Sequence, residues 1–269
     1  MDQMLLSQTI IPEELQKLCL EYKRSLFVTP SERKRIEEAT RDQAAEALWF
    51  EQRKCRLTAS NFGVVARRRQ TTPVAKLVRY LLYDTIRESR PLQWGREHEE
   101  DARQAYLKAK GPTVVLTRSG LVIDSEHGWL ACSPDDLARD SSAVANEYGL
   151  VEYKCPYSVR DISVDEACRK KDFIAYVKDG QVTLKRTHKY FYKVQGQMAI
   201  CRRNWCDLVI WTPSSLTIER IAFDPNFWQD VLPKLEHFYD TAVLPELASP
   251  RHPQGQTIRE PGDTSDGLP

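Results

Sequence analysis

The chain has 269 residues, enough for one large domain with a substantial core. Lys plus Arg (39) nearly balance Asp plus Glu (38), so bulk charge marks neither a nucleic-acid nor a membrane binder, and any basic surface must be local. Seven cysteines without a C-x-x-C pair argue against a zinc site and a secreted disulfide framework, and no apolar run approaches the ~20 residues of a membrane span; the chain reads as soluble and intracellular, nuclear or cytoplasmic, with no membrane partner.

In chain order, the first ~10 residues read as frayed and are too short and acidic for a signal peptide. Leu15, Leu18 and Leu26, with Cys19 and Tyr22, recur at helical spacing and predict an amphipathic helix. Thr29-Pro30, an N-cap followed by a first-turn proline, opens what reads as one long helix to Lys54. Further helices are predicted from Thr58 and from the Pro73 region through Tyr83. WGREHEEDARQAYLKAKG predicts another, closed by Gly111.

The period then changes. Residues 113–138 hold short β-rich runs separated by the turn-like DSEHG, and GLVEYKC is a further strand. Asp179-Gly180 between FIAYVK and QVTLKR predicts a hairpin. THKYFYKVQGQMAICRR reads as helical, CDLVIWTP and LTIERIAF as the last strands. Asp224-Pro225 leads into a closing helix that Pro233 kinks or starts. From Ser249 the Pro-, Gly- and polar-rich tail reads as disordered. The expected fold is α/β (α+β), a central mixed sheet flanked by helices.

One strand is unusual. Alternate residues of a strand share a face, so in LVEYKC the apolar set is Val151, Tyr153 and Cys155, while Glu152 and Lys154 point together to the other side. A solvated face is the ordinary reading of such a pair. Upstream, however, a strand ending at Cys132 runs into Ser133-Pro134-Asp135-Asp136, where proline stops the strand and holds Asp135 at its end. Asp at that place also suits a turn or helix cap. Together, Pro-Asp followed by Glu-x-Lys is the pattern of a metal-dependent phosphodiesterase core. Mg²⁺ takes oxygen ligands, commonly one or two carboxylates with water, which Asp135, Glu152 and the Tyr153 carbonyl could supply. Lys154 would hold the attacking water or stabilise phosphate charge. On the helix predicted over 96–110, Glu99 shares a face with Ala102 and Tyr106. It reads either as half of a buried Glu–Arg pair or as a third carboxylate near the ion.

Five ordered stretches, WFEQRKCRLTASNFG, WGREHEEDARQAY, ACSPDDL, GLVEYKCP and YKVQGQM, resemble the motif series of the YqaJ-like viral recombinase family, which includes phage lambda exonuclease and belongs to the PD-(D/E)xK nuclease superfamily. The resemblance runs from about Thr29 to Pro245. It divides the chain into an N-terminal helical extension (1–28), a YqaJ-like exonuclease domain (29–248) and the tail (249–269). It implies a restriction-endonuclease-like core with N-terminal helices and Mg²⁺, with Mn²⁺ as its substitute. The implied reaction is hydrolysis of one strand of duplex DNA from a free 5′ end, in recombination or in viral or mobile-element replication. By resemblance, Asp135, Glu152 and the Tyr153 carbonyl bind metal, Lys154 activates the water, Glu99 is the accessory carboxylate and Gln195 positions Lys154 or the scissile phosphate. Arg53 and Ser60, with Ser133 nearby, bind a 5′-terminal phosphate. The family's partners would be a single-strand-annealing or recombinase protein and copies of the same chain in a trimer, which the longer 173–186 hairpin leaves open.

Asp136, where the family example has Gly, reads as a turn cap rather than a metal ligand. Arg53, Lys54, Arg56, Arg67, Arg68 and Arg69 lie in a stretch with no acid, a solvated basic run or a phosphate track. Arg56 would contact the DNA backbone or pair with Glu99. Gln195 and Gln197 diverge by ~200° on a helix, and Gln195 is the one expected at the site. Two other functions stay open on these residues: an endonuclease of the same superfamily acting on DNA or RNA, and a non-catalytic DNA-binding module.

Overall fold

Thr29 accepts a hydrogen bond from the Glu32 amide and Pro30 fills the first turn, so the helix predicted there starts as expected. The structure, a computed structural model, describes residues 13–85 and 88–262. The frayed start expected over the first ~10 residues lies outside them. The N-terminal part holds α1 (Glu13–Ser25), α2 (Pro30–Ala39), α3 (Ala47–Lys54), the short strand β1 (Leu57–Thr58), α4 (Ala59–Ala66), α5 (Ala75–Leu82), α6 (Arg90–Glu97) and α7 (Glu99–Lys110). Then follow β2 (Val114–Arg118), β3 (Val122–Ile123), β4 (Leu130–Cys132), β5 (Asp136–Asp140), β6 (Tyr148–Lys154), α8 (Val164–Ala167), β7 (Ala175–Lys178), β8 (Gln181–Leu184), α9 (Lys189–Cys201), β9 (Trp205–Thr212), β10 (Ser215–Ala222), α10 (Pro225–Phe238) and α11 (Leu244–Ala248).

Two predicted helices are broken. The one expected from Thr29 to Lys54 stops at Ala39, because Thr40 turns its hydroxyl back to the Ile36 carbonyl at 2.6 Å and accepts the Leu121 amide at 2.8 Å. Gln43 then adopts a left-handed φ of 46°, and its side-chain amide donates to the Ser119 and Pro134 carbonyls at 3.0 and 3.1 Å. The second break is at His98, which separates α6 from α7. Pro233 sits inside α10 without ending it, and the wide turn Tyr239–Val243 carries the chain into α11.

The main sheet has the order β10-β9-β6-β5-β2; β6 and β9 are parallel and the other neighbours antiparallel. A smaller sheet, β1-β4-β3, and the hairpin β7-β8 with left-handed Asp179 and Gly180 complete the strands. The parallel β6–β9 pair needs a long crossover, which α8, the hairpin and α9 supply. Helix α9 covers one face of the main sheet: its Val194 and Met198 share a core with Leu150, Leu208 and Ile210. Helix α7 covers the other: Ala102 and Tyr106 pack with Val151, Tyr153 and Val209. Mixed sheet and flanking helices are therefore the fold that the sequence suggests.

The expectation of a disordered tail gives way over residues 249–262. Glu260 accepts the Val74 and Ala75 amides at the start of α5, at 2.8 and 3.0 Å, and Ile258 is buried in the core formed by α1, α4 and α10. Residues 263–269 lie outside the described ones. All seven cysteines are free thiols, and among the described residues no helix is long and apolar enough to cross a membrane.

Candidate active site

β4 ends at Cys132, and the Ser133-Pro134-Asp135 bend carries the chain from the small sheet into β5 of the large one. In the β5–β6 ladder Asp136 faces Val151 and Leu137 faces Leu150. Continuing that register by one residue sets Asp135 directly opposite Glu152 on the α9 side of the sheet. Antiparallel partners of this kind stand about 4.5–5.5 Å apart at Cβ. Asp135 also accepts the Tyr153 amide at 2.7 Å, which fixes its carboxylate over β6. The bend is held from outside by Gln43 through the Pro134 carbonyl.

Glu152 is fully buried and surrounded by donors. Lys154 Nζ lies 2.5 Å from its Oε1, Lys193 of α9 bonds the same oxygen, and Gln197 Nε2 donates to Oε2 at 2.9 Å. Lys154 Nζ also donates to the Tyr153 carbonyl at 2.7 Å. Burial alone would push the Glu152 carboxyl up, but the two ammonium groups outweigh it and hold the pKa at about 2. Asp135 goes the other way. Burial, and then the neighbouring Glu152 charge, raise it to about 7 against the pull of Lys193 and Lys154. Lys154 loses from burial but is held above its ordinary value by Glu152 and Asp135.

The site thus gathers Asp135, Glu152 and Lys154, and it adds Lys193, which sequence reasoning did not single out, and Gln197, which it set aside in favour of Gln195. They are four apart, one helical turn on the same face of α9. Gln195 is a correction. Its amide donates to the Ala222 carbonyl and accepts the Asp224 amide, at 2.9 and 2.8 Å, so it ties α9 to the end of β10 rather than to the carboxylates. Glu99 is not buried under α7. Its side chain is 37 % exposed and pairs with Arg118 of β2 at 2.8 Å, within electrostatic reach of Asp135.

Asp136 caps no turn. It opens β5, is fully buried on the α7 face, and its Oδ2 accepts from Arg103 Nε and the Tyr153 hydroxyl, both at 2.8 Å. Arg56 is a second correction. It is buried and donates to the Leu26, Gln52 and Gly128 carbonyls, so it clamps three chain segments and reaches neither solvent nor Glu99.

Arg53 sits over Trp49, its guanidinium carbon 3.9 Å from the ring centre, and reaches Thr58 Oγ1 at 3.5 Å, while Trp49 Nε1 donates to Ser133 Oγ at 2.9 Å. Burial pulls the Arg53 guanidinium down to about 10, and among the described residues no carboxylate pairs with it. Ser60 stands exposed two residues beyond Thr58, in the first turn of α4.

Could a divalent ion sit here? Among the described residues no three His, Cys, Asp or Glu side chains form a metal cage. The donors are instead two opposed carboxylates and a backbone carbonyl. Such a hard-oxygen set fits Mg²⁺, which is ordinarily held by one or two carboxylates and keeps several waters. One Asp135 oxygen takes no hydrogen bond from the described residues, and Glu152 already draws two cations to itself.

Known proteins bear on this geometry. The YqaJ-like viral recombinase domain matches residues 48–204, more than half of the chain. The alkaline nuclease of Orgyia pseudotsugata multicapsid polyhedrosis virus is 28% identical over 217 residues, covering 74% of this chain and 48% of that protein. The chain therefore spans about half the length of that relative. Among solved structures, the alkaline exonuclease LHK-Exo from Laribacter hongkongensis superposes with a TM-score of 0.53 at 22% identity, over 77% of this chain and 96% of that one. The SOX–RNA complex of KSHV gives 0.53 at 11% identity, over 82% and 74%. At these identities the two structures speak for the fold alone. The domain match carries the assignment: this chain belongs to the YqaJ-like viral recombinase domain family.

Proposed function

We propose that this protein is a Mg²⁺-dependent deoxyribonuclease that digests duplex DNA from a 5′ end. The observation that supports it best is the pairing of Asp135 with Glu152 across two strands, with Lys154 in direct contact with Glu152. A bound divalent ion, held by Asp135, Glu152 and the Tyr153 carbonyl, would polarise the phosphodiester and lower the pKa of a bound water.

The chain's own side chains then divide the work. Gln197 and Lys193 orient Glu152 from α9. Lys154, spanning the Glu152 carboxylate and the Tyr153 carbonyl, holds a proton donor at the place where water and phosphate meet. Glu99, tethered by Arg118, adds negative charge at the rim and is the accessory carboxylate. The direction of digestion rests on Arg53 and Ser133. A largely buried guanidinium without a carboxylate, stacked on Trp49 and next to a hydroxyl and the start of α4, suits a dianionic terminal phosphate.

The deciding experiment is digestion of linear duplexes carrying 5′-phosphate or 5′-hydroxyl ends beside a relaxed circle, with and without Mg²⁺. The expected result is Mg²⁺-dependent loss of the linear DNA, faster from the phosphorylated end, with the circle intact. Cleavage of the circle at a comparable rate would replace the exonuclease with an endonuclease.

A further inference from the structure

The α4–α9 seam carries charge that the site above leaves unused. On α4 and its C-cap, Ser60, Gly63 and Arg67 share one face, since three and seven residues bring a helix back to nearly the same direction. The start of α9 lies against this face. A Cβ on Gly63 would stand 2.8 Å from the Lys189 Cα, so the two backbones touch there and only glycine permits it. Lys189 is thereby held between Ser60, one turn earlier on α4, and Arg67, one turn later.

Both cations are exposed, and among the described residues neither has a carboxylate within ion-pair distance. Their neighbours are not free in this way. Lys185 donates to the Lys171 carbonyl, and Arg186 pairs with Asp224. The local field is strongly positive. His188 is pushed down to about 4 by burial and by Lys189, Arg67 and Lys185, and its neutral Nδ1 accepts the Tyr190 amide as the cap of α9. Tyr190 joins this ridge to the active site: Lys154 Nζ lies 5.0 Å from its ring centre and Lys189 Nζ 5.6 Å.

We propose that Lys189 and Arg67 form a second phosphate-binding ridge, continuous with Ser60, that grips the backbone of a DNA strand next to the nucleotide held at Asp135 and Glu152. The inference rests on reading that centre as a nuclease site. Two unpaired cations at fixed spacing are a backbone reader: they position a strand and carry no sequence information. They would therefore act on all DNA sequences alike and weaken with salt.

The test measures binding of a 5′-phosphorylated blunt duplex, a DNA single strand and an RNA strand of the same sequence, as a function of salt. Ca²⁺ replaces Mg²⁺ to hold the oxygen ligands. Wild type is compared with Lys189→Gln, Arg67→Gln, the double variant, Lys189→Arg as the charge-keeping control, and Lys34→Gln on α2 as a remote one. Each true phosphate contact contributes about 0.9 to the slope of log K against log salt on duplex DNA, so the double variant is expected to lower it by about 1.8. Lys189→Arg and Lys34→Gln are expected to keep the wild-type slope. Slopes that superimpose for wild type and double variant, or a loss confined to RNA, overturn the ridge. Mg²⁺-dependent cleavage by wild type is followed in parallel: its absence would sink the nuclease reading, whereas unchanged slopes beside normal cleavage would sink the ridge alone.

Discussion

Two neighbouring rungs of the main sheet carry acids on opposite faces, all buried but the half-buried Asp135, and they are finished differently. On the α7 face, in the row Asp136–Val151–Asp207, Asp207 is closed, while Asp136 is tied by Arg103 and Tyr153 through one oxygen and its other oxygen has no hydrogen-bond partner among the described residues. Asp207 is bound by Arg220 through both oxygens, and by the Tyr106 hydroxyl and Lys110, at 2.8 to 3.1 Å. Arg220 goes on to Asp140 and stacks on Trp205, 3.8 Å from its ring. On the α9 face the row Asp135–Glu152–Leu208 is open: one acid is crowded by two lysines, and the other is forced towards its neutral form with an oxygen to spare. Asp207, answered on both oxygens, holds the fold together. Asp135, with an oxygen to spare beside a second acid, would suit a cation.

The contrast is broken most sharply by exchanging charge for amide on each row. Asp135→Asn is expected to lower Mg²⁺-dependent hydrolysis by about 10³-fold, the share of several kcal/mol that a metal ligand supports. It should leave the metal-free fold as stable as wild type or more so. Asp207→Asn should do the reverse. Stranding Arg220 and Lys110 costs about 3–5 kcal/mol of stability, measured by urea unfolding, while the Mg²⁺-induced rise in melting temperature persists. Loss of that Mg²⁺ response in Asp207→Asn with an unchanged unfolding midpoint would erase the distinction between the two faces.

A pH series sharpens it. The raised Asp135 carboxyl keeps its proton in the folded state to about pH 7, whereas the unfolded chain releases it near its ordinary value, about pH 4. The stability this group contributes is thus complete below about pH 4 and disappears as pH rises through 7. Glu152, held at about 2, contributes stability that is lost as pH falls from its ordinary value of about 4.5 through 2, below this window. The other charged groups facing Asp135 are Lys193, Lys154 and Glu99. His188, held near 4, contributes a trend of the opposite sign, so the informative quantity is the difference between variants. In EDTA, wild type should lose stability relative to Asp135→Asn between pH 4.5 and 7.5, and Mg²⁺ should narrow the gap by stabilising wild type alone. A difference that stays flat across that range would mean that Asp135 ionises freely.

Much of the active row was legible because strand alternation and the Pro-Asp bend are local rules. Register then did the rest, placing 135 opposite 152. What was illegible depended on distant partners. Glu99 was placed by helix-face arithmetic, yet its position is set by Arg118, nineteen residues on in another strand. Asp136 resembles a cap in sequence, but Arg103 and Tyr153 draw it into the sheet. Arg56 sits in a basic run that suggests solvent, and three buried carbonyls claim it instead. The break at Thr40 follows from an amide eighty-one residues away, which no helix propensity encodes.

The smallest expected effect separates the two glutamines of α9. Their divergence was calculable, but the rotation of α9 about its own axis was not. It is set where Gln195 stitches the helix to Ala222 and Asp224. Gln195→Ala leaves a buried carbonyl and amide without partners and is expected to cost about 1–3 kcal/mol of stability, with the catalytic rate of the folded fraction near wild type. Gln197→Ala removes a neutral donor from Glu152 and is expected to lower metal affinity by about 10-fold, at the low end for a residue that orients a metal ligand. Titration of Mg²⁺ against the melting temperature reads this directly. If Gln195→Ala shifts the Mg²⁺ midpoint and Gln197→Ala does not, α9 presents the other face to the carboxylates. Lys193, one turn before Gln197, then leaves the site with it.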